Sequence, residues 1–163
     1  MKSFNTIVLA GLLFLAGELA AQSRIEKPNE VNLELGGKSG FYSLCYQRMI
    51  GSWTGLEFGL SFIELPHAGE FTPLFSARGG VRLYTTKKSA AFCVSTGIVF
   101  VSAAAGINLL QIKRSTAYFY VSPGFEYRAR TGFVLRASVN FLLGPAIGDL
   151  FIIWPGLALG IAF

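Results

Sequence analysis

Beyond residue 22, apolar side chains alternate with polar or small ones in runs of about ten residues, and a turn signal ends each run. The run over 55–62 is typical: leucine and phenylalanine occupy its even positions, while glycine, glutamate and serine occupy its odd ones. A period of two places the two kinds of side chain on opposite faces of a β-strand. The pattern occurs eight times, and the predicted strands are 31–36, 42–47, 55–62, 75–83, 92–100, 118–128, 133–141 and 157–163.

The connections between these strands alternate in length. Those after the second, fourth and sixth strands are short, whereas those at 64–72, 102–115 and 143–155 are longer. Short periplasmic turns and longer outer loops are typical of bacterial outer-membrane barrels, of which those with eight strands are the smallest. The connection at 37–40 falls on the outer side but is short, so it departs from this rule.

Composition places the apolar face of these strands in lipid. Of the 163 residues, 52% are hydrophobic and 14% are charged, against about 25% charged in an ordinary soluble domain. A chain of this length cannot bury so much apolar surface in its own interior. In lipid every backbone N–H and C=O must be paired internally, so the sheet must close. We therefore expect an all-β protein, an eight-stranded antiparallel up-and-down transmembrane β-barrel with a filled polar lumen, over residues 22–163.

Residues 1–21 are interpreted as a signal peptide that directs export and is then removed. Lys2 supplies a basic start, residues 7–16 an apolar stretch, and residues 19–21 a small-residue exit before Gln22. The apolar stretch is shorter than a membrane span requires. The expected location is the cell outer membrane. Because Lys2 and Glu18 are removed together, the exported chain keeps the net charge of +5.

The face opposite the apolar one carries charges that a filled lumen must pair. Seven charged residues lie on it: Glu34, Glu57, Arg78, Arg82, Glu126, Arg128 and Arg136. Removing one partner of a buried ion pair costs about 3–5 kcal/mol, so three glutamates with four arginines favour an internal ionic network. Because arginine is in excess, Arg82 or Arg128 is expected to reach a rim. A proton or ion path through the same residues is the alternative.

Two features fit a membrane strand less well. Pro123 falls inside the sixth run, where a proline removes one donor from the ladder, and a bulge is expected there. Residues 89–112 carry no charge and are long enough for a membrane helix, although their many β-branched residues favour a strand. A helical membrane protein is therefore kept as an alternative.

Aromatic residues near the ends of the runs are interpreted as the interfacial girdles of a membrane barrel. They are Tyr42, Tyr46, Trp53, Tyr84, Tyr127 and Trp154. Phe163 follows Leu157, Leu159 and Ile161 on the lipid face of the last strand. We interpret Phe163 as the assembly signal that the outer-membrane barrel assembly machinery reads.

The sequence contains no pattern that predicts catalysis, a metal or a cofactor. The single histidine, His67, has no serine at a suitable spacing and is interpreted as a loop residue. Cys45 and Cys93 are interpreted as small buried thiols, with a disulfide as the alternative in an export compartment. The basic balance favours anionic lipid headgroups as partners. Nucleic acid is not expected, because an exported chain rarely meets any.

Three stretches follow the patterns E-x-G-G with S-x-N-Y-E-R, G-x-x-Y-R, and W-x-G-x-S-x-G-x-x-F, at 33–37 with 42–48, 123–128, and 154–163. In these stretches the chain resembles the small, mostly uncharacterised outer-membrane β-barrel proteins of the Bacteroidetes type. It departs from that pattern at Cys45, Gln47 and Ala158, which removes polar groups from the lumen. The resemblance implies an outer-membrane barrel and brings no established activity.

These observations predict a small integral outer-membrane barrel without a large pore and with a structural or interaction role, and no enzyme activity is expected. The outer connections 102–115 and 143–155 are more apolar than free loops, so we expect them to extend the strands or to contact lipid or a partner of unknown identity. The alternatives are a narrow pore or transporter, a lipid-modifying outer-membrane enzyme that uses His67, and a soluble lipocalin-like barrel whose apolar face points inward.

Overall fold

The structure, a computed structural model, describes Arg24 and residues 26–67, 70–103, 115–144 and 152–163. Its elements are the strands β1 (Asn29–Gly36), β2 (Tyr42–Met49), β3 (Thr54–His67), β4 (Glu70–Tyr84), β5 (Ala90–Ala103), β6 (Ser115–Arg128), β7 (Phe133–Leu143) and β8 (Ile152–Ala162). Each strand pairs antiparallel with the next, and β8 pairs with β1 to close the barrel. The predicted eight-stranded up-and-down barrel is confirmed. The predicted signal peptide, residues 1–21, lies outside the described residues.

The helical alternative is wrong. Strand β5 occupies Ala90–Ala103, most of the uncharged stretch over 89–112. Its β-branched residues suit a pleated sheet better than a helix, because their side chains are restricted next to a preceding helical turn. Among the described residues, no helix has the length and hydropathy that a membrane span would need.

The barrel has two rims, which differ in how the strands are joined. The connections 50–53, 85–89 and 129–132 lie at the end where β1 begins, and this end is called the short-turn rim. The opposite end, called the long-loop rim, holds the 37–41 connection and the far ends of β3, β5 and β7. Residues 104–114 and 145–151 of the two longest predicted connections lie outside the described residues.

Strands at the long-loop rim run further than the alternation predicts. His67, predicted to be a loop residue, is the last residue of β3, and its backbone is in register with Glu70 of β4. Pro66 and Pro73 lie in these strand ends and look like breakers in the sequence. A proline removes only its own N–H, however, so the register continues past both. Similarly, β8 begins at Ile152, inside the predicted connection 143–155.

Pro123 lies in β6 without the expected bulge. Strands β5 and β6 keep one register on both sides of it, with no inserted residue, and Pro123 faces Val94. On the β7 side, Ser122 and Pro123 are left out of an otherwise continuous register. The Ser122 hydroxyl crosses this gap and donates to Asn140 Oδ1 at 2.6 Å. The missing N–H is therefore accommodated by a local interruption of the ladder.

The two faces of the sheet differ as predicted. Large apolar side chains on the outward face are exposed, including Phe92 (67%), Ile161 (63%) and Leu44 (61%). The inward face carries polar side chains that are fully buried, such as Glu126 and Asn140. The soluble lipocalin-like alternative is therefore wrong, since its apolar face would point inward.

Small residues on the inner face of β8 leave room for the charged side chains of its neighbours. From residue 156 to the end of this strand, the inward positions are Gly156, Ala158, Gly160 and Ala162. Ala158 lies beside Arg136 of β7 and Glu34 of β1. A Cβ atom on Gly160 would lie 2.5 Å from the Cβ of Asn32, so no larger residue fits there without a shift.

Candidate functional site in the barrel interior

The structure places all seven charged residues that were predicted to line the lumen inside the barrel, and all are buried: Glu34, Glu57, Arg78, Arg82, Glu126, Arg128 and Arg136. Of Arg82 and Arg128, one of which was expected to reach a rim, Arg128 is the last residue of β6 at the short-turn rim, and each is only 1% exposed. Interior carboxylates hold them there: Arg82 binds Glu57, and Arg128 binds Glu30.

The half of the lumen near the short-turn rim is organised around Glu126 and Glu30. Arg136 bridges the two carboxylates, since its Nη2 lies 2.8 Å from Glu126 Oε2 and 2.6 Å from Glu30 Oε1. Arg128 Nη2 binds the other oxygen of Glu30 at 2.5 Å. The Tyr84 hydroxyl donates to Glu126 Oε2 at 2.8 Å. These contacts join β1, β4, β6 and β7 across the barrel.

Glu57 is the centre of a second cluster in the network. Its Oε1 accepts three hydrogen bonds, from Ser95 Oγ at 2.6 Å, Tyr120 Oη at 2.7 Å and Lys38 Nζ at 2.9 Å. Its Oε2 is bound by Arg82. Hydrogen bonds to an ionised group are roughly twice as strong as neutral ones. One carboxylate on β3 thus holds groups from β4, β5, β6 and the 37–41 connection.

A third cluster joins Glu34 to Arg78 near the long-loop rim. Arg78 forms an ion pair with Glu34, and its Nη2 also lies 2.8 Å from the Cys45 sulfur. The glycine at position 59 makes room for this arginine, because a Cβ there would lie 2.6 Å from Arg78 Nε. Both Cys45 and Cys93 are buried free thiols, so the disulfide alternative is wrong.

The 37–41 connection turns into the barrel instead of away from it. Gly36 and Gly37 adopt φ values of 64° and 88°, which side chains other than glycine rarely allow. This bend carries Lys38 into the lumen, where it is 2% exposed. The Ser39 carbonyl is then held by the Ser76 hydroxyl at 3.3 Å. The short connection therefore closes part of the long-loop mouth.

Lys38 is a buried cation, and two other buried cations, Arg78 and Arg82, lie near it. Burial lowers the pKa of Lys38 to about 8, and the nearby guanidinium groups of Arg82 and Arg78 act in the same direction. Glu57 opposes this shift through its ion pair with the amine. The pair thus keeps the lysine in the lumen although its charge is poorly accommodated there.

Arg24 closes the other mouth from outside the strands. Its Nε lies 3.3 Å from Glu126 Oε1, and its guanidinium donates to the backbone carbonyls of Thr86 at 3.2 Å and Ser89 at 3.4 Å. The guanidinium carbon also lies 4.4 Å from the centre of the Tyr84 ring, a distance typical of a cation–π contact. A segment that precedes β1 thus contributes a buried cation at the short-turn rim.

Sequence reasoning missed four of these residues, and two of them had a usable signal. Glu30 continues the alternation of Asn32 and Glu34 backwards by one step, and Tyr84 continues that of Arg82 forwards. Tyr84, predicted to belong to an interfacial girdle, is instead a buried lumen residue. Lys38 and Arg24 lie outside the strands, so strand periodicity could not locate them.

Cations outnumber carboxylates in the described interior. The buried cations are Arg24, Lys38, Arg78, Arg82, Arg128 and Arg136, and the buried carboxylates are Glu30, Glu34, Glu57 and Glu126. Five guanidinium nitrogens of Arg78, Arg82 and Arg128 have no hydrogen-bond partner. Over the described ranges, no group of three or more histidine, cysteine, aspartate or glutamate residues is arranged to hold a metal ion.

Two solved structures share this fold. The N-terminal β-barrel domain of Pseudomonas aeruginosa OprF matches with a TM-score of 0.62 at 14% sequence identity, over 83% of this chain and 96% of that one. The Yersinia pestis outer-membrane protein Ail matches with a TM-score of 0.52 at 13% identity, over 83% and 98%. The fold is thus that of small eight-stranded outer-membrane barrels.

Neither a family model nor a curated protein matches the sequence. The resemblance to barrels of the Bacteroidetes type stays a prediction, since both structures described above come from other bacteria.

Proposed function

We propose that this protein is a small outer-membrane barrel with a structural or interaction role, and that it forms no large pore and is not an enzyme. The observation that carries the proposal is the ionic network across the lumen. Glu57, Glu126, Glu30 and Glu34 each bind at least one buried cation, and together they link strands on opposite walls.

Buried cations at both ends of the lumen support the absence of a large pore. Lys38 reaches Glu57 from the long-loop side, and Arg24 reaches Glu126 from the short-turn side. Breaking a buried ion pair by removing one partner costs about 3–5 kcal/mol. A water-filled path would have to break several such pairs at once, so the closed lumen is the stable state.

The location and topology belong to the same proposal. We infer that residues 1–21 are removed on export, that the short-turn rim faces the periplasm, and that Phe163 is read by the barrel assembly machinery. The outer connections within 102–115 and 143–155 then form the surface available to a partner. Membrane fractionation and the mass of the mature chain test the location and the cleavage site.

A narrow anion path is the second candidate function. The excess of buried cations over carboxylates and the unpartnered guanidinium nitrogens of Arg78 and Arg82 favour it over a cation path. Anions that pass arginine side chains would find hydrogen-bond donors that the protein itself leaves unused.

Single-channel recording in planar bilayers separates the two functions. A closed structural barrel is expected to give no steady conductance, whereas steady anion-selective steps in the wild type would replace the proposal by the second candidate. The double variant Arg24→Ala with Lys38→Ala removes both closing cations and is expected to conduct intermittently. Lys87→Ala with Lys88→Ala is the matched control, because it removes two cations that are exposed on the 85–89 turn.

A further inference from the structure

Of the residues that the structure describes, the cations outside the lumen are gathered at the short-turn rim. Five cations lie there, and the set is called the basic rim: Lys27, Arg48, Lys87, Lys88 and Arg130. Among the described residues of this rim outside the lumen, only Glu26 carries a negative charge. Arg48, Lys87, Lys88 and Arg130 are exposed, and Lys27 is half-buried.

The basic rim runs around the barrel and is not confined to one side. Arg48 is the penultimate residue of β2, the two lysines lie in the 85–89 turn, Arg130 lies in the 129–132 turn, and Lys27 precedes β1. Lys27 is fixed next to the 129–132 turn by a 3.0 Å hydrogen bond to the Thr131 carbonyl. Cations therefore lie beside the start of β1, the end of β2 and the 85–89 and 129–132 turns, whereas the 50–53 turn and the end of β8 carry none.

Apolar residues that face outward lie at the same rim as these cations. Ile50 is 60% exposed and Trp53 is 47% exposed at the same rim, and Lys87 Nζ lies 5.6 Å from the centre of the Trp53 ring. Phe133 and Phe163 are likewise exposed at this end. Cations at the edge of an apolar band are placed at the depth of lipid headgroups.

The opposite rim lacks this excess. Over the described residues, the part of the long-loop rim outside the lumen holds two acidic residues, Glu64 and Glu70, and no basic one. The charges that the structure describes beyond residue 22 thus divide into +4 at the short-turn rim, +2 in the lumen and −2 at the long-loop rim. Outside the lumen, the positive charge in the described ranges therefore lies at one end of the barrel.

We propose that the basic rim binds the anionic headgroups of phospholipids in the leaflet that it contacts, the inner leaflet of the outer membrane. The assignment to that leaflet rests on the proposed topology. A ring of lysine and arginine side chains at headgroup depth attracts anionic lipids electrostatically, and each cation adds to the attraction. The ring would enrich such lipids around the barrel and resist its displacement along the membrane normal.

The test measures which lipids contact the barrel. The protein is reconstituted in phosphatidylcholine vesicles with spin-labelled phosphatidylglycerol or spin-labelled phosphatidylcholine, and the relative association constants are obtained from the immobilised spectral component. The wild type is expected to prefer phosphatidylglycerol at least about two-fold at 0.1 M salt. The triple variant Arg48→Gln, Lys87→Gln, Arg130→Gln is expected to show no preference.

A matched variant distinguishes the effect of side-chain charge from that of side-chain shape. Arg48→Lys with Lys87→Arg and Arg130→Lys keeps every charge and is expected to keep the preference. In 1 M salt the screening length falls from about 10 Å to about 3 Å, so the wild-type preference is expected to disappear. A wild type without preference, or an equal loss in the charge-keeping variant, overturns the proposal.

The topology is tested independently. A Lys88→Cys variant is treated with a maleimide reagent too large to cross the outer membrane, before and after the membrane is permeabilised. Labelling only after permeabilisation supports a periplasmic rim. Labelling of intact cells would overturn the assignment to the inner leaflet. The headgroup preference is tested separately, by the measurement in vesicles.

Discussion

Lys38 Nζ and Glu57 Oε1 lie 2.9 Å apart, although Lys38 belongs to the connection between β1 and β2 and Glu57 lies within β3. This ion pair holds the 37–41 connection against the wall of the barrel. Arg24 and Glu126 form the corresponding pair at the other mouth, with 3.3 Å between Nε and Oε1. Each of these two cations comes from a segment outside the strands and binds a carboxylate that a strand positions.

Replacing Glu57 with glutamine is expected to lower the free energy of unfolding by about 3–5 kcal/mol. The amide has nearly the shape of the carboxylate, so the change isolates the charge. Lys38 would then lose its ion pair, and Arg82 would keep only its 3.7 Å contact with Glu126 Oε2. Urea unfolding of the protein in phospholipid vesicles, followed by the heat-dependent shift on gels, measures the difference.

Glu64→Gln is the matched control, because Glu64 is an exposed glutamate near the far end of the same strand. Exposed substitutions of this kind change stability by about 0.5 kcal/mol or less. An equal effect of the two substitutions would show that the Glu57 cluster contributes no more than a surface charge does.

The stability of the barrel is expected to rise with pH between about pH 8 and 10.5 because of Lys38. The pKa of Lys38 is about 8 in the folded protein and 10.5 for the free side chain. Over this interval the unfolded chain holds a proton that the folded protein has lost, so the unfavourable burial of the charge is relieved as pH rises. The full span is about 3 kcal/mol at most.

Two variants isolate this contribution from other titrating groups. Lys38→Met and Lys38→Arg both lack a group that titrates in the interval, and the arginine keeps the positive charge beside Glu57. Unfolding curves at several pH values give the free energy of unfolding at each pH. This free energy is expected to rise more steeply with pH for the wild type than for either variant. Parallel pH profiles for all three proteins would contradict the shifted pKa of Lys38.

The barrel could be predicted from the sequence because apolar and polar side chains alternate along its strands. Lipid outside and a polar interior impose a period of two on every strand, and a closed sheet is the form of such strands that leaves no edge in lipid. The same alternation predicted that Glu57 and Arg136 lie in the lumen. It also pointed to Tyr84, which was assigned to a girdle only because it lies near the end of a run.

The remaining parts depend on contacts that strand periodicity does not encode. Lys38 enters the lumen because Gly36 and Gly37 bend the chain inward, and a short glycine-rich connection reads equally well as a plain turn. Pro123 suggested a bulge, but whether a lost N–H is absorbed by an inserted residue or by a gap depends on the neighbouring strand. Such choices are made by tertiary packing.

Gly160→Ala is expected to destabilise the barrel by about 1–3 kcal/mol, because the added methyl group overpacks the seam between β8 and β1. The new Cβ would meet the Cβ of Asn32 at 2.5 Å and the Val31 carbonyl at 2.6 Å. Gly79→Ala is the control, since its Cβ would meet only the Phe58 ring, at 3.8 Å. The control is expected to be neutral or slightly stabilising. Urea unfolding in vesicles compares them, and equal stabilities would argue against a tight seam.

Phe163→Ala is expected to lower the amount of barrel in the outer membrane more than its effect on stability explains. The backbone of Phe163 pairs with Asn29 in both directions, and its ring is 58% exposed on the lipid face, so the fold does not depend on the ring. Ile161→Ala is the matched control, because Ile161 lies one step earlier on the same face and is 63% exposed. Both variants are expected to refold equally well into vesicles, while only Phe163→Ala lowers the level in membranes of cells that express it. Equal membrane levels of the two variants would show that the assembly machinery does not read this residue.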